Sequence, residues 1–293
     1  MSPAAPEGIA WPEDGSLEAA LAERDSCRPL SLYVHVPFCS VRCGYCDFNT
    51  YTTGFGPGAA PGDYASSILA DAGWAPREAS TVFLGGGTPT LLASSELARI
   101  LDHLRSTFGI AEDAEVTVEA NPDSIDAQGL EELRVAGVTR VSFGMQSAVP
   151  SVLATLDRTH DPERVPIVVE AAKDTGLDVS LDLIYGAPGE SLEDWRRSVE
   201  VAIGLSPDHI SAYALVIEEG TKMGRMLSRG AIPEPDSDEE AAKYELADAM
   251  LAQAGYRWYE ISNFARAQRG EDDMVASELR YASKHNLAYW RDC

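Results

Sequence analysis

Six β-rich runs, at 31–36, 80–84, 115–119, 138–143, 178–184 and 209–214, alternate with amphipathic stretches of helix length at 63–73, 94–108, 126–136, 162–175, 191–203 and 236–254. Strands and helices that alternate this regularly build a parallel sheet joined by right-handed crossovers, which commits the chain to the α/β class. The helix ends carry their own signals. Ser94 ahead of Glu96, Asp126, and Ser191 ahead of Asp194 are the expected N-caps, and Gly109, Gly137, Gly176, Gly204 and Gly255 stand where helices should stop.

The unusual residues fall at the same point of each unit. Cys39 to Cys46 follow the first strand, Gly85-Gly86-Gly87-Thr88-Pro89-Thr90 the second, Asn121-Pro122 the third, Gly144-Met145-Gln146-Ser147 the fourth, and Tyr185-Gly186-Ala187-Pro188-Gly189 the fifth. All are strand C-terminal ends. A barrel gathers those ends around one central site, whereas a doubly wound sheet concentrates them at a switch-point crevice. The reading adopted is an incomplete (β/α)6 barrel over 24–255. After Gly255 the pattern loosens into a strand at 256–264, a polar loop at 265–273 and a helical or mixed segment at 277–290. That is the expected start of a smaller C-terminal α+β unit, 256–293. Residues 1–23 read as a loose leader, with a short helix at 17–24.

A chain of 293 residues can bury an ordinary core. Its 23 Lys+Arg against 47 Asp+Glu give a formal net charge of -24, a field that repels phosphate backbones and, with no Lys/Arg stripe, argues against nucleic acid as a partner. The N-terminus lacks the basic and apolar regions of a signal peptide, and the apolar stretches are strand-sized. We expect a cytoplasmic protein, not integral to a membrane, whose cysteines stay reduced.

Of five cysteines, Cys39, Cys43 and Cys46 form a C-x3-C-x2-C run on the loop after the first strand. A loop of that length can wrap three thiolates around one [4Fe-4S] cubane, which normally takes four thiolates. The vacancy suggests that a substrate or cofactor coordinates the fourth iron, as the amino and carboxylate groups of S-adenosylmethionine can. The competing reading is a zinc site of His35, Cys39, Cys43 and Cys46, with the right ligand count but without the two separated segments usual in structural zinc sites. His35 shares a strand face with Tyr33, so direction alone does not exclude it.

The other motifs are weaker singly. The glycine run at Gly85 is equally a plain βα turn, and Glu119 is more often a solvated charge than a functional carboxylate. Asp182 says more, because a carboxylate among Val179, Leu181, Leu183 and Ile184 is costly unless paired or placed at a pocket. His103 and His209 read as structural, and His160 beside Arg158 more often as structural than as a residue of the pocket rim. His285 opens His285-Asn286-Leu287-Ala288-Tyr289-Trp290, which by itself is a packed helix with a core histidine or an axial imidazole with aromatic faces for a porphyrin.

Taken together, the cysteine run after Tyr33-Val34-His35-Val36-Pro37-Phe38 and the Gly85 to Thr90 segment resemble the radical S-adenosylmethionine superfamily. Within it, the chain resembles the branch of oxygen-independent coproporphyrinogen III oxidases and their relatives, the haem chaperones, from about Leu32 to Trp290. The resemblance implies that Cys39, Cys43 and Cys46 hold a [4Fe-4S] cluster. It implies further that Gly86, Gly87 and Thr88, with Tyr33, Tyr45, Glu119, Gln146, Arg158, Asp182 and Ala214, line the S-adenosylmethionine pocket. H-N-x-x-Y-W is similar to the haem-binding signature of the chaperones, which makes His285 the candidate haem ligand. The dehydrogenases carry a fourth cysteine two residues past the third, where this chain has Phe48. The implied function is therefore a chaperone passing haem to acceptor haemoproteins such as respiratory enzymes. The alternative is oxidative decarboxylation of coproporphyrinogen III. Relatives continue past Trp290, so an end at Cys293 reads as a truncation.

Overall fold

A computed structural model describes residues 29–52, 64, 77–271 and 274–291. The leader, with its helix at 17–24, Cys27 and Cys293 lie outside them, as does the helix expected at 63–73 apart from Tyr64. Six parallel strands, β1 (Leu30–Val36), β4 (Ala79–Gly86), β5 (Ile110–Ala120), β6 (Arg140–Gln146), β7 (Asp178–Tyr185) and β8 (His209–Ala214), lie side by side in chain order. That order has no reversal and hence no switch-point crevice, so the expected incomplete barrel is borne out. Two short strands, β2 (Phe38–Cys39) and β3 (Tyr51–Thr52), pair in parallel beside it.

The crossover helices are α1 (Ser94–Thr107), α2 (Ala127–Val135), α3 (Pro150–Thr155) with α4 (Arg164–Asp174), and α5 (Leu192–Gly204). After β8 come α6 (Lys222–Ser228) and α7 (Ser237–Gln253). The caps are local chemistry. Asp126 accepts from the Gly129 amide at 2.9 Å, Ser191 and Asp194 close a capping box, and Asp236 accepts from the first amides of α7. Ser94 departs from expectation: it is the first helical residue behind Ala93, and its hydroxyl faces the Gly129 carbonyl at 3.4 Å. After α5 the left-handed turn is taken by Ser206 (φ +51°) and not by Gly204.

Along each parallel strand the side chains split by parity. Val82 and Leu84, Val116 and Val118, Val141 and Phe143, and Val179, Leu181 and Leu183 are buried in one core with Leu97, Ile100, Leu130, Val168, Trp195 and Val199 of the helices. The alternate residues, including Thr117, Glu119, Arg140, Ser142, Ser180 and Asp182, face the concave side and line a cavity. A filled barrel would place Val, Ile and Leu there. The polar inner rows keep this one hollow.

Residues 256–291, expected to open a second unit, extend the same sheet. The single strand foreseen at 256–264 is two, β9 (Tyr256–Glu260) and β10 (Asn263–Arg266), antiparallel to each other, with β10 antiparallel to β8. Ala265 and Arg266 therefore belong to a strand rather than to the polar loop expected at 265–273. Of the segment at 277–290, only α8 (Lys284–Arg291) is α-helical over more than one turn. Among the described residues no helix is long and apolar enough to cross a membrane. Phe143 is fully buried where β6 meets the helices; Phe143→Ala is expected to lower the unfolding free energy by about 3–5 kcal/mol in urea titrations, and a change below about 1 kcal/mol would contradict this account of the core.

Candidate functional site

The cysteine loop is held before any cofactor arrives. β2 pairs with β3 across it, the Tyr51 amide donates to the Pro37 carbonyl at 2.7 Å, and Gly44 bonds Leu156 and Met223 through its amide and carbonyl. Arg158 places one guanidinium nitrogen 3.6 Å from Cys43 Sγ and donates from another to the Gly144 carbonyl at 2.8 Å. Cys46 Sγ lies 3.8 Å from the Thr50 hydroxyl. Burial, then the neighbouring Cys46 and Cys43 thiols, push the Cys39 thiol up, an effect that the Thr50 and Thr88 hydroxyls partly offset.

A zinc site with His35 does not fit. Nε2 of His35 faces the Asn49 carbonyl at 2.9 Å and Nδ1 the Tyr33 hydroxyl at 3.3 Å, so both ring nitrogens are engaged. Among the described residues no group of three or more His, Cys, Asp or Glu closes around a single ion. The thiols instead open on a cavity of about 380 Å³.

All three cysteines line that cavity, together with Tyr45, Gly86, Gly87, Thr88, Glu119, Gln146, Arg158, Asp182 and Ala214. Gly86 takes φ +112°, and a Cβ on it would lie 2.6 Å from the His35 ring; a Cβ on Gly87 would lie 2.5 Å from the Phe38 carbonyl oxygen. The glycines thus let the end of β4 approach His35 of β1 and Phe38 of β2, and the amides of the run are already engaged. Gly86 donates to Glu119 at 3.0 Å, Gly87 to Val36 at 2.8 Å and Thr88 to Phe38 at 2.6 Å. What the run offers a ligand comes through its carbonyls, which suit an ammonium group.

Deeper inside, Asp182 accepts from the Ser142 hydroxyl at 2.9 Å, and burial pushes both Asp182 and Glu119 upward. Gln146 sits where β6 slips against β7, with φ +61°, a left-handed backbone that costs such a residue about 1–3 kcal/mol. Its buried Oε1 has no hydrogen-bond partner among the described residues. Ser142, Ser211 and Tyr213 also line the cavity and were not foreseen, although strand alternation from Gln146 points to Ser142; the register sets Ser211 beside Asp182, and Asn121, marked at the end of its strand, lines the cavity too.

Two expected residues stand elsewhere. Tyr33 and His285 are outside the cavity lining; the His285 ring stacks on Phe83 at 5.0 Å and on Tyr33 at 6.4 Å between centroids. His285 Nδ1 lies 2.8 Å from the Thr81 hydroxyl, while its buried Nε2 has no hydrogen-bond partner among the described residues. His160, for which the rim was the lesser alternative, is buried outside the cavity lining, and burial followed by the nearby Arg158 charge brings it down to about 4. His209, read as structural, lies at the cavity floor and bridges Ser180 and Tyr259 at 2.8 Å each.

Burial, and then the Asp182 charge, raise Glu119 from 4.5 to about 7. Between those values the folded chain keeps a proton that the unfolded chain has lost, so stability of the cofactor-free protein falls as the pH rises from about 4.5 to about 7. Glu119→Gln is expected to flatten that slope in denaturant midpoints measured against pH; an unchanged slope would contradict the assignment.

The comparisons with known proteins agree with this geometry. The haem chaperone HemW of Mycobacterium tuberculosis is 47% identical over 269 residues, and that of Escherichia coli 38% identical over 270, each covering 90% of this chain. The chain spans 66% of the length of either relative, just under two thirds. The crystal structure of coproporphyrinogen III oxidase (HemN) from Escherichia coli, a radical SAM enzyme, superposes with a TM-score of 0.75 at 27% identity, covering 89% of this chain and 61% of that one. The pattern of the Radical SAM superfamily matches residues 33–202, more than half of the chain and all of the cysteine loop, Gly85 run and β7 carboxylate described above; the chain belongs to that superfamily, whose cofactors are a [4Fe-4S] cluster and S-adenosylmethionine.

Proposed function

We propose that this chain is the cofactor-binding and haem-binding part of a haem chaperone that acts in the cytoplasm and passes haem to acceptor haemoproteins such as respiratory enzymes. The observation that carries the reading is its likeness, over 90% of its length, to proteins named haem chaperones. Nucleic acid has no part in it, given the charge of -24.

In this reading Cys39, Cys43 and Cys46 hold the cluster, which when bound supplies an electron to S-adenosylmethionine. Arg158 keeps a fixed positive charge against Cys43, and Tyr45 shields the same thiol from water. Glu119 and Asp182 accept from the cationic and hydroxyl groups of the ligand, Gly86, Gly87 and Thr88 from its amino group, and Gln146 turns its unpartnered Oε1 toward the same space. Ala214 closes the side at the end of β8. Tyr33 acts from behind this wall, through its stack on Phe83.

His285 is the candidate axial ligand for haem. Its orphaned Nε2 fits that role chemically, since a neutral imidazole with one nitrogen already bonded presents the other as a donor. Its enclosure does not fit: the residue is 3% exposed and stacked between rings, with no open plane before it for a porphyrin. Tyr289 and Trp290, about 60% exposed on the same helix, offer flat surfaces.

The fold shared with HemN supports a second reading, oxidative decarboxylation of coproporphyrinogen III. Phe48, exposed at the cavity mouth where the dehydrogenases have a cysteine, favours the chaperone. Haem titration of the anaerobically reconstituted protein separates them. His285→Ala is expected to weaken haem affinity by more than about 10-fold, the scale on which even outer-shell partners of a metal act. Unchanged affinity and Soret spectrum would remove His285 as the ligand, and protoporphyrinogen formed by the reduced protein would replace the chaperone with the enzyme.

A further inference from the structure

The cavity continues below the residues assigned to S-adenosylmethionine. Thr117, Arg140 and Ser180 line it, each two residues nearer the start of its strand than Glu119, Ser142 and Asp182, which is about 7 Å further along the strands. His209, Ser283 and Asn286 complete this floor.

The floor is rich in unspent donors. Arg140 is 3% exposed. Its Nη2 donates to the Tyr281 carbonyl at 3.0 Å, and Nη1 lies 3.4 Å from Glu115 without a hydrogen bond. Nε and Nη1 both lack a hydrogen-bond partner among the described residues, and so does the buried Thr117 hydroxyl. The acidic groups beside Arg140 are engaged elsewhere. Glu115 accepts from the Ser283 hydroxyl and from the Lys284 and His285 amides, each at 3.1 Å, while Asp178, the register partner of Arg140 on β7, is 3.2 Å from Arg280.

His209 adds a further donor through its neighbour. Burial, and then the Arg140 charge, keep the ring neutral, so it carries one proton. The Tyr259 hydroxyl accepts from the Ser283 amide at 3.1 Å, which turns its own proton to His209 Nε2 at 2.8 Å and sets the imidazole proton on Nδ1, 2.8 Å from the Ser180 oxygen. Ser180 therefore accepts behind the wall and keeps its own proton for the cavity. A buried guanidinium with unspent N–H bonds is costly until an acceptor arrives. One such charge, with Glu115 behind it, matches a single negative charge better than a dianion, and the planar carboxylate is the anion that a guanidinium pairs with most closely. Burial pushes Glu119 and Asp182 up toward their neutral forms, which lessens repulsion from the row above.

We propose that the barrel floor is a carboxylate-binding subsite, in which Arg140, Thr117 and Ser180 hold the acidic end of a small organic molecule beneath S-adenosylmethionine. The subsite rests on the reading above only for what lies over it, and on neither haem nor His285.

The test uses the anaerobically reconstituted full chain carrying ¹⁵N-arginine, with sodium acetate as the probe, titrated at constant ionic strength against sodium chloride. The Arg140 Nε–H resonance is expected to shift saturably with acetate and not with chloride, and to do so with S-adenosylmethionine present. Thr117→Val, nearly isosteric, and Ser180→Ala each remove one hydroxyl and are expected to weaken acetate about 10-fold, the scale of one hydrogen bond to a charged group. The second variant carries the test if the first does not fold. A shift that never saturates, one that chloride reproduces, or an acetate affinity unchanged in both variants overturns the subsite. Displacement of acetate by S-adenosylmethionine also overturns it, since the two would then share one place. Acetate binding in a chain that fails to bind S-adenosylmethionine would sink the reading above and leave the floor as described.

Discussion

A parallel strand that is apolar on one face only can bury only that face, and this constraint shapes the whole molecule. In β4 to β8 the alternate residues that meet the helices form one continuous core, while the rest, apart from Phe83, Ile184 and glycines, are mostly hydroxyls, amides and charges. Parallel sheets are usually covered on both sides and read as unbroken hydrophobic runs. Here, among the described residues, the second side has no helix layer. The sheet curves around its polar rows, and the resulting space is lined by groups that await a ligand rather than by interlocking side chains.

Within that space the charges are graded along the strands. At the C-terminal ends stand the three thiols with Arg158; below them are Glu119 and Asp182; at the floor are Arg140, paired with Glu115 behind it, and His209, kept neutral by burial. Each buried charge has a bonded neighbour, as burial in a low dielectric demands. The middle carboxylates are the least compensated, with one amide on Glu119 and the Ser142 and Ser211 hydroxyls on Asp182. That is where a cation finds the largest gain, and S-adenosylmethionine carries positive charge at both its ammonium and its sulfonium.

Much of this was legible in the sequence because it is local. The βα alternation set the strand order, the spacing of Cys39, Cys43 and Cys46 marked the loop, and Asp182 betrayed the inner face by being a carboxylate in an apolar strand. What escaped was whatever depends on distant partners. Nothing near Ser94 in sequence reveals that its hydroxyl would face Gly129 on the next helix, and nothing near Glu115 announces a helix to cap some 170 residues later. His209 is the satisfied structural histidine expected, but that its partners would be Ser180 and Tyr259, on other strands, was not legible. The glycine run was recognised, but its physical reason was not: the glycines admit the Phe38 backbone and the His35 ring, while the Gly86 amide goes to Glu119 and the Gly87 and Thr88 amides to Val36 and Phe38.

The central claim is that this hollow barrel holds a three-thiolate cluster with one iron open toward S-adenosylmethionine. Electron paramagnetic resonance of the anaerobically reconstituted, dithionite-reduced protein tests it most directly. The account predicts a [4Fe-4S]⁺ signal whose g-values shift when S-adenosylmethionine is added. A signal indifferent to S-adenosylmethionine, or a colourless protein that takes up zinc and no iron, would contradict it.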